Sequence, residues 1–118
     1  MSQAADELNE ENREVILRMA ASGDDLSKPR DIEFSVVFPD RSSAEEFAAF
    51  FGQLGCRTST EEAGVDPDLP WDVTVVKHML PACEAITEFE LFLKSKASPL
   101  GGRNDGWGCF EQKPSNQH

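Results

Sequence analysis

The chain has 118 residues, which suffices for one domain with a single modest hydrophobic core. It carries 22 acidic and 11 basic side chains, a net charge of −11, and this excess disfavours contact with nucleic-acid phosphates and favours basic partners. No apolar run approaches the roughly 20 residues that span a bilayer, and the polar N-terminus does not resemble a signal peptide. We therefore expect a cytoplasmic protein that binds neither nucleic acid nor membrane.

Seven segments are predicted as regular structure from the spacing of their apolar residues. The first helix has acids in its first half and ends before Gly23. The second helix opens with two overlapping capping boxes, which pair Ser42 with Glu45 and Ser43 with Glu46. The predicted elements are helices at 4–21, 42–55 and 81–97, and strands at 31–38, 56–62, 71–79 and 105–111.

The same spacing predicts which side chains are buried. Strand 31–38 alternates, whereas helix 42–55 follows the i, i+3, i+4, i+7 pattern of one apolar stripe. The predicted inward residues are Ile32, Phe34, Val36 and Phe38 of the first strand, Phe47, Phe50, Phe51 and Leu54 of the second helix, and Leu8, Val15, Met19 and Ala20 of the first helix.

The order of elements predicts the fold. A helix followed by β-α-β-β-α-β matches the ferredoxin-like α+β sandwich with an extra N-terminal helix. Two helices should pack on one face of a four-stranded antiparallel sheet, and the last strand should lie at an edge beside the first. We expect one domain over residues 1–118, with an ordered core at about 4–111 and a frayed tail at 112–118.

Residues suited to catalysis are few. The two histidines are His78 and His118, and Cys83 follows His78 by five residues across a proline turn. A histidine on the surface of a sheet fits this pattern better than a Cys-His catalytic pair. Three widely spaced cysteines without a C-x-x-C pair disfavour a zinc site or a disulfide framework. We expect no enzyme, no metal and no cofactor.

Three features are candidates for a surface that binds a protein. They are the helix at 4–21, the loop at 61–72 and the final strand. Up to Asp72 the chain has 17 acids and 6 bases, and beyond it 5 of each, so the first part carries the whole excess. Each feature alone also fits a solvated face or a connector. The loop contributes Glu61, Glu62, Asp66, Asp68 and Asp72.

Several segments together resemble the RraB family, the regulators of ribonuclease E activity B. They are "VILRMAASGDD", "PRDIEFSVVFPD", "FAAFFGQLG" and, near the C-terminus, "DGWG", and the resemblance covers about residues 8 to 111. It implies a ferredoxin-like fold and an acidic cytoplasmic protein that inhibits endoribonuclease E by binding its arginine-rich, non-catalytic scaffold region. The named regulators carry a long acidic tail after "DGWG", whereas this chain ends in the nearly neutral "QKPSNQH".

The "DGWG" strand supplies two further candidates for partner binding, Asp105 and Trp107. In a strand, Gly106 and Gly108 share one side and Trp107 and Cys109 the other. Parity does not decide which side faces the helices. Trp107 is either a plug that seals the core, which we favour, or an anchor for a partner.

A second hypothesis keeps the fold and drops the nuclease. A ferredoxin-like module can also serve as a regulatory or ligand-binding unit, including a dimer that pairs edge strands or sheet faces. An affinity for an arginine-rich nuclease segment that falls sharply as the salt concentration rises would support the inhibitor. A melting temperature that rises on addition of a small molecule would support the ligand-binding module.

Overall fold

The computed structural model describes residues 3–62 and 66–109 of the chain. The predicted order of helices and strands is confirmed. The predicted tail at 112–118 and the last two residues of the predicted final strand lie outside the described residues. The elements are α1 (Gln3–Ala21), β1 (Arg30–Phe38), α2 (Arg41–Gln53), β2 (Arg57–Glu62), β3 (Trp71–Met79), α3 (Cys83–Ala97), a 3-10 turn (Ser98–Leu100) and β4 (Arg103–Cys109).

The four strands form one antiparallel sheet in the order β2-β3-β1-β4. β4 lies at an edge beside β1, as predicted. Together with the helix order, this arrangement confirms the α+β fold and its ferredoxin-like topology. α1 is the additional helix, and it packs against α3.

One side of the sheet is covered by α2 and α3 and holds the hydrophobic core. Alternate residues of β1 and β3 point into it, as the alternation predicted. The closest aromatic rings in it have centroids 4.8 to 4.9 Å apart, within the range of favourable ring contacts. The buried core residues are Ile32, Phe34, Val36, Phe38, Ala44, Phe47, Phe51, Val73, Val75, Ile86, Leu93 and Ala97.

The start and end of α2 differ from the prediction. Asp40 is the N-cap, and its Oδ1 accepts a hydrogen bond from the Ser43 backbone N–H at 2.8 Å. Both predicted capping boxes are therefore wrong, because Asp40, two residues before Ser42, is the N-cap and satisfies an orphan donor of the first turn. At the other end α2 stops at Gln53, so Leu54 leaves the apolar stripe and is 54% exposed.

The inward side of α1 also differs from the prediction. Leu8, Val15 and Met19 are half-buried, but Ala20 is exposed. Among its described side chains the most deeply buried is a polar one, Asn12, at 3% exposure. The stripe of α1 that faces α3 is thus centred on an amide rather than on a hydrocarbon side chain.

The close approach of Gly102, which directly precedes β4, to Phe38 of β1 gives a first prediction. A Cβ at Gly102 would lie 2.7 and 2.9 Å from two ring atoms of Phe38, which is fully buried. We expect Gly102→Ala to lower the free energy of unfolding by about 1–3 kcal/mol, because the ring has no free space to enter. Urea unfolding followed by circular dichroism measures this change.

The matched control is Gly52→Ala on α2. A Cβ there meets no atom within 4 Å, and alanine favours a helix by up to about 1 kcal/mol over glycine. The free energy of unfolding of this variant should equal or exceed that of the wild type. Equal stability of the two variants would contradict the steric argument.

Candidate functional site

The side of the sheet away from the helices is the candidate surface, called the open face below. In the described part of the chain no helix packs on it, and most of its side chains are exposed or half-buried. The register of the strands assigns to it Asp31, Glu33, Ser35 and Val37 of β1, Arg57, Ser59 and Glu61 of β2, Asp72, Thr74, Val76 and His78 of β3, and Arg103, Asp105, Gly106 and Gly108 of β4.

The predicted acidic loop is divided by the sheet. Glu61 and Asp72 are paired residues on β2 and β3 and lie together on the open face. Glu62 is paired with Trp71 and lies on the opposite side, so these neighbouring glutamates do not form one cluster. The sequence prediction grouped them with the acidic loop at 61–72, although both also fall in the predicted strand 56–62, where neighbouring side chains alternate between the two sides.

Asp66 and Asp68 extend the open face at one end. Asp66 accepts a hydrogen bond from the Asp68 backbone N–H at 2.9 Å, and its Oδ2 lies 3.3 Å from an Arg103 guanidinium nitrogen on β4. The loop therefore reaches from β2, at one edge of the sheet, towards β4 at the other. Beneath this end lies Val37, which is only 5% exposed although it faces away from the helices.

The opposite end of the open face holds a carboxylate, a guanidinium group and an imidazole in contact. Asp31 Oδ1 lies 2.9 Å from His78 Nδ1, and Asp31 Oδ2 accepts from Arg57 at 2.5 Å. The hydrogen bond with His78, together with the Arg57 charge, lowers the pKa of Asp31. Cys83 is not part of this group, since its Sγ donates to two oxygens of Asn9 on α1 at 3.1 Å. His78 and Cys83, the Cys-His combination considered in the sequence, thus contact different residues.

Trp107 faces the helices. Its indole is half-buried, packs on the core, and donates from Nε1 to Asn12 Oδ1 at 2.9 Å. This orientation matches the favoured view of Trp107 as a residue that completes the core. A role of Trp107 in binding a partner stays a prediction.

Behind Trp107 lies a buried polar network that sequence reasoning missed. Asn12 Nδ2 donates to Glu90 Oε1 at 2.8 Å and to Thr87 Oγ1 at 2.9 Å. Glu90 is 4% exposed, and this burial raises the pKa of its carboxyl, opposed by the Asn12 hydrogen bond. One signal was available: Glu90 falls on the same helical stripe as Ile86 and Leu93, where a charged residue needs a buried partner.

With Trp107 turned inward, β4 presents its glycines outward. Phe34 is paired with Trp107 but Val36 with Asn104, so two residues of β4, Asp105 and Gly106, oppose one residue of β1. This is a β-bulge, and Gly106 adopts it with a φ of 101°, which favours glycine. Above the bulge lies a shallow depression, called the notch below, lined on the open face by Glu33, Ser35, Thr74, Asp105, Gly106 and Gly108.

In residues 3–62 and 66–109, no three side chains among the histidines, cysteines and carboxylates are placed to hold a metal ion. None of the helices in these ranges combines the length and the apolar character that crossing a membrane requires.

Comparison with known families identifies the chain. The family model RraB, described as "Regulator of ribonuclease activity B", matches residues 9–109, and the chain therefore belongs to this family. No individual curated protein matches the chain. Membership implies a role in regulating ribonuclease activity, and the family is one of regulators rather than of catalysts.

The buried Glu90 gives a second prediction. The pKa of Glu90 in the folded state lies above the ordinary value of 4.5. Between pH 4.5 and this raised pKa, the folded protein therefore binds more protons than the unfolded chain. The wild type therefore loses stability as the pH rises from about 4.5 through the raised pKa. Glu90→Gln lacks this loss and keeps an acceptor for Asn12. We expect the variant to be the more stable at pH 7, with the difference shrinking towards pH 4.

Urea unfolding at several pH values measures this difference. The control is Glu88→Gln, which removes the same charge from an exposed position on α3. Its stability should follow the wild type at every pH. A Glu90→Gln variant that also follows the wild type would contradict the stated cost of burying the ionised carboxyl.

Proposed function

We propose that the chain binds the arginine-rich scaffold region of an endoribonuclease E through its open face and thereby inhibits RNA cleavage. The family match supports regulation of a ribonuclease, and the segments quoted above resemble regulators of this nuclease. The observation that carries the proposal is the uncompensated negative charge on the open face.

The charges of the open face do not cancel. Its strands carry five carboxylates against two guanidinium groups. Both guanidinium groups are already paired, Arg57 with Asp31 and Arg103 with Asp66. Among the described residues Glu33, Glu61 and Asp105 have no ion-pair partner. A positively charged segment therefore meets a surface of complementary charge.

α1 offers a second acidic surface, but it lies elsewhere. The exposed acids of its first turns, from Asp6 to Glu14, belong to a helix packed on α3, behind the sheet. They cannot join the open face in one continuous patch. We assign binding to the open face because its carboxylates are fixed by strand pairing, whereas those of α1 fit an ordinary solvated helix face.

The mechanism of inhibition follows from competition for the same charges. Arginine-rich segments bind RNA by contacts to phosphates. A segment that is neutralised by carboxylates of the open face is no longer available to hold RNA near the nuclease. Folding of the segment on the sheet reduces the affinity for a given contact area, since its conformational entropy is lost on binding. The chain itself supplies no catalytic group in this scheme.

Calorimetric titration with the scaffold region of the host's ribonuclease E tests the proposal. We expect saturable binding that weakens from low to physiological salt. Neutralising two carboxylates of the open face, in the double variant Glu61→Gln/Asp72→Asn, should weaken binding about tenfold, from roughly 0.7 kcal/mol for each exposed charge.

The matched control is Glu7→Gln/Glu14→Gln, which makes the same change in net charge on α1. Its affinity should stay within about twofold of the wild type. Equal weakening by the two double variants would mean that net charge, not the open face, attracts the scaffold. Absence of heat at both salt concentrations with a folded protein would show that the scaffold is not the partner.

A further inference from the structure

We propose that the notch is a binding site for one arginine side chain of the partner's basic segment, held between the carboxylates of Glu33 and Asp105. The inference rests on the proposed function, which supplies the basic segment. It goes further by naming the residue type that is recognised and the position on the open face where it binds.

The shape of the notch comes from missing side chains. Gly106 and Gly108 follow one another on the outward side of β4, and a Cβ at either meets no atom within 4 Å. Their positions are therefore empty space at the surface of the sheet rather than space filled by a neighbour. The bulge at Asp105 and Gly106 widens the opening, because two residues of β4 there oppose one of β1.

The walls of the notch carry the charge. Glu33 is paired with Gly108, and Asp105 belongs to the bulge opposite Ser35, two residues further along β1. The two carboxylates thus stand diagonally across one strand pair, on the order of 7 Å apart at the backbone. Neither carboxylate has an ion-pair partner among the described residues. The residues between them on the outward side of β4, Gly106 and Gly108, have no side chain to fill the space.

A guanidinium group suits this arrangement better than an ammonium group. Its five N–H donors form a planar fork that can serve two carboxylates at once. A lysine ammonium is a compact point charge that is strongly hydrated and would reach one carboxylate closely. The notch is also open to the rest of the open face, where Asp72 lies on β3, beside β1, and Glu61 lies on β2, one strand further away. This continuity favours an arginine within an extended basic segment over a free amino acid.

The variant that tests the notch fills it without changing any charge. Gly108 does not have a positive φ, and a Cβ there is unobstructed, so Gly108→Val should preserve the fold. The probes are two synthetic peptides of equal charge and length, one with arginine and the other with lysine alternating with serine. Calorimetric titration at low salt measures both affinities, and circular dichroism melting checks that each variant is folded.

We expect the wild type to bind the arginine peptide about tenfold more tightly than the lysine peptide. In Gly108→Val the affinity for the arginine peptide should fall to that for the lysine peptide, which itself should not change. The control is Ser59→Val, which adds the same side chain to an exposed position of the open face on β2. This variant should keep the preference for arginine.

A second variant, Glu33→Gln, tests the same site through its charge. It should abolish the preference for arginine, whereas Glu88→Gln on α3 should retain it, and this pair decides the question if Gly108→Val fails to fold. The proposed arginine site is overturned if the wild type does not prefer the arginine peptide over the lysine peptide. It is also overturned if a folded Gly108→Val or Glu33→Gln variant keeps this preference. Scaffold binding that survives such a result leaves the proposed function standing. Absence of binding to the scaffold and to both peptides would contradict both the proposed function and the proposed arginine site.

Discussion

The hydrogen bond between Trp107 and Asn12 determines which side chains of the edge strand β4 face the helices and which face outward. It links β4 to α1, and the same Asn12 amide reaches Glu90 on α3. A buried indole N–H without an acceptor is costly, so this contact strongly favours the inward orientation of Trp107. Because side chains alternate along a strand, the inward indole places Gly108 on the outer side. The network that closes the core thus also shapes the opposite surface.

The two sides of the sheet consequently have different roles. The helix side buries hydrocarbon and aromatic groups in close packing, so an added atom there causes a steric clash, as a Cβ at Gly102 would with the Phe38 ring. The open face contributes little to that core, with Val37 as its one deeply buried member in the described part of the chain. Side chains on the open face are therefore free to be charged. A surface built in this way can be matched to a partner without disturbing the fold.

The sequence predicted those features that depend on local pattern. Alternation in β1 and the Phe47–Phe51 stripe located the core correctly, and the order of elements was sufficient for the topology. Features that depend on contacts between distant residues could not be predicted. Asn12 and Glu90 interrupt apolar stripes, and their hydrogen bond joins residues 78 positions apart. Likewise, the predicted strand 56–62 separates Glu61 from Glu62 by alternation, but only pairing with β3 shows which of the two faces away from the helices.

The placement of the ion pairs explains why the middle of the open face remains negative. The guanidinium groups of the face lie at its two ends, where Arg57 contacts Asp31 and Arg103 contacts Asp66. Exposed pairs of this kind add little stability, but they occupy the guanidinium groups that would otherwise neutralise their neighbours. Between them lie Glu33 and Asp105, and neither has an ion-pair partner among the described residues. At the end that holds Arg103, Glu61 stands opposite Asp72, and carboxylates paired across two strands repel each other. Under the proposed function, a guanidinium group bound between such carboxylates would relieve their repulsion, and this relief would contribute to the binding free energy.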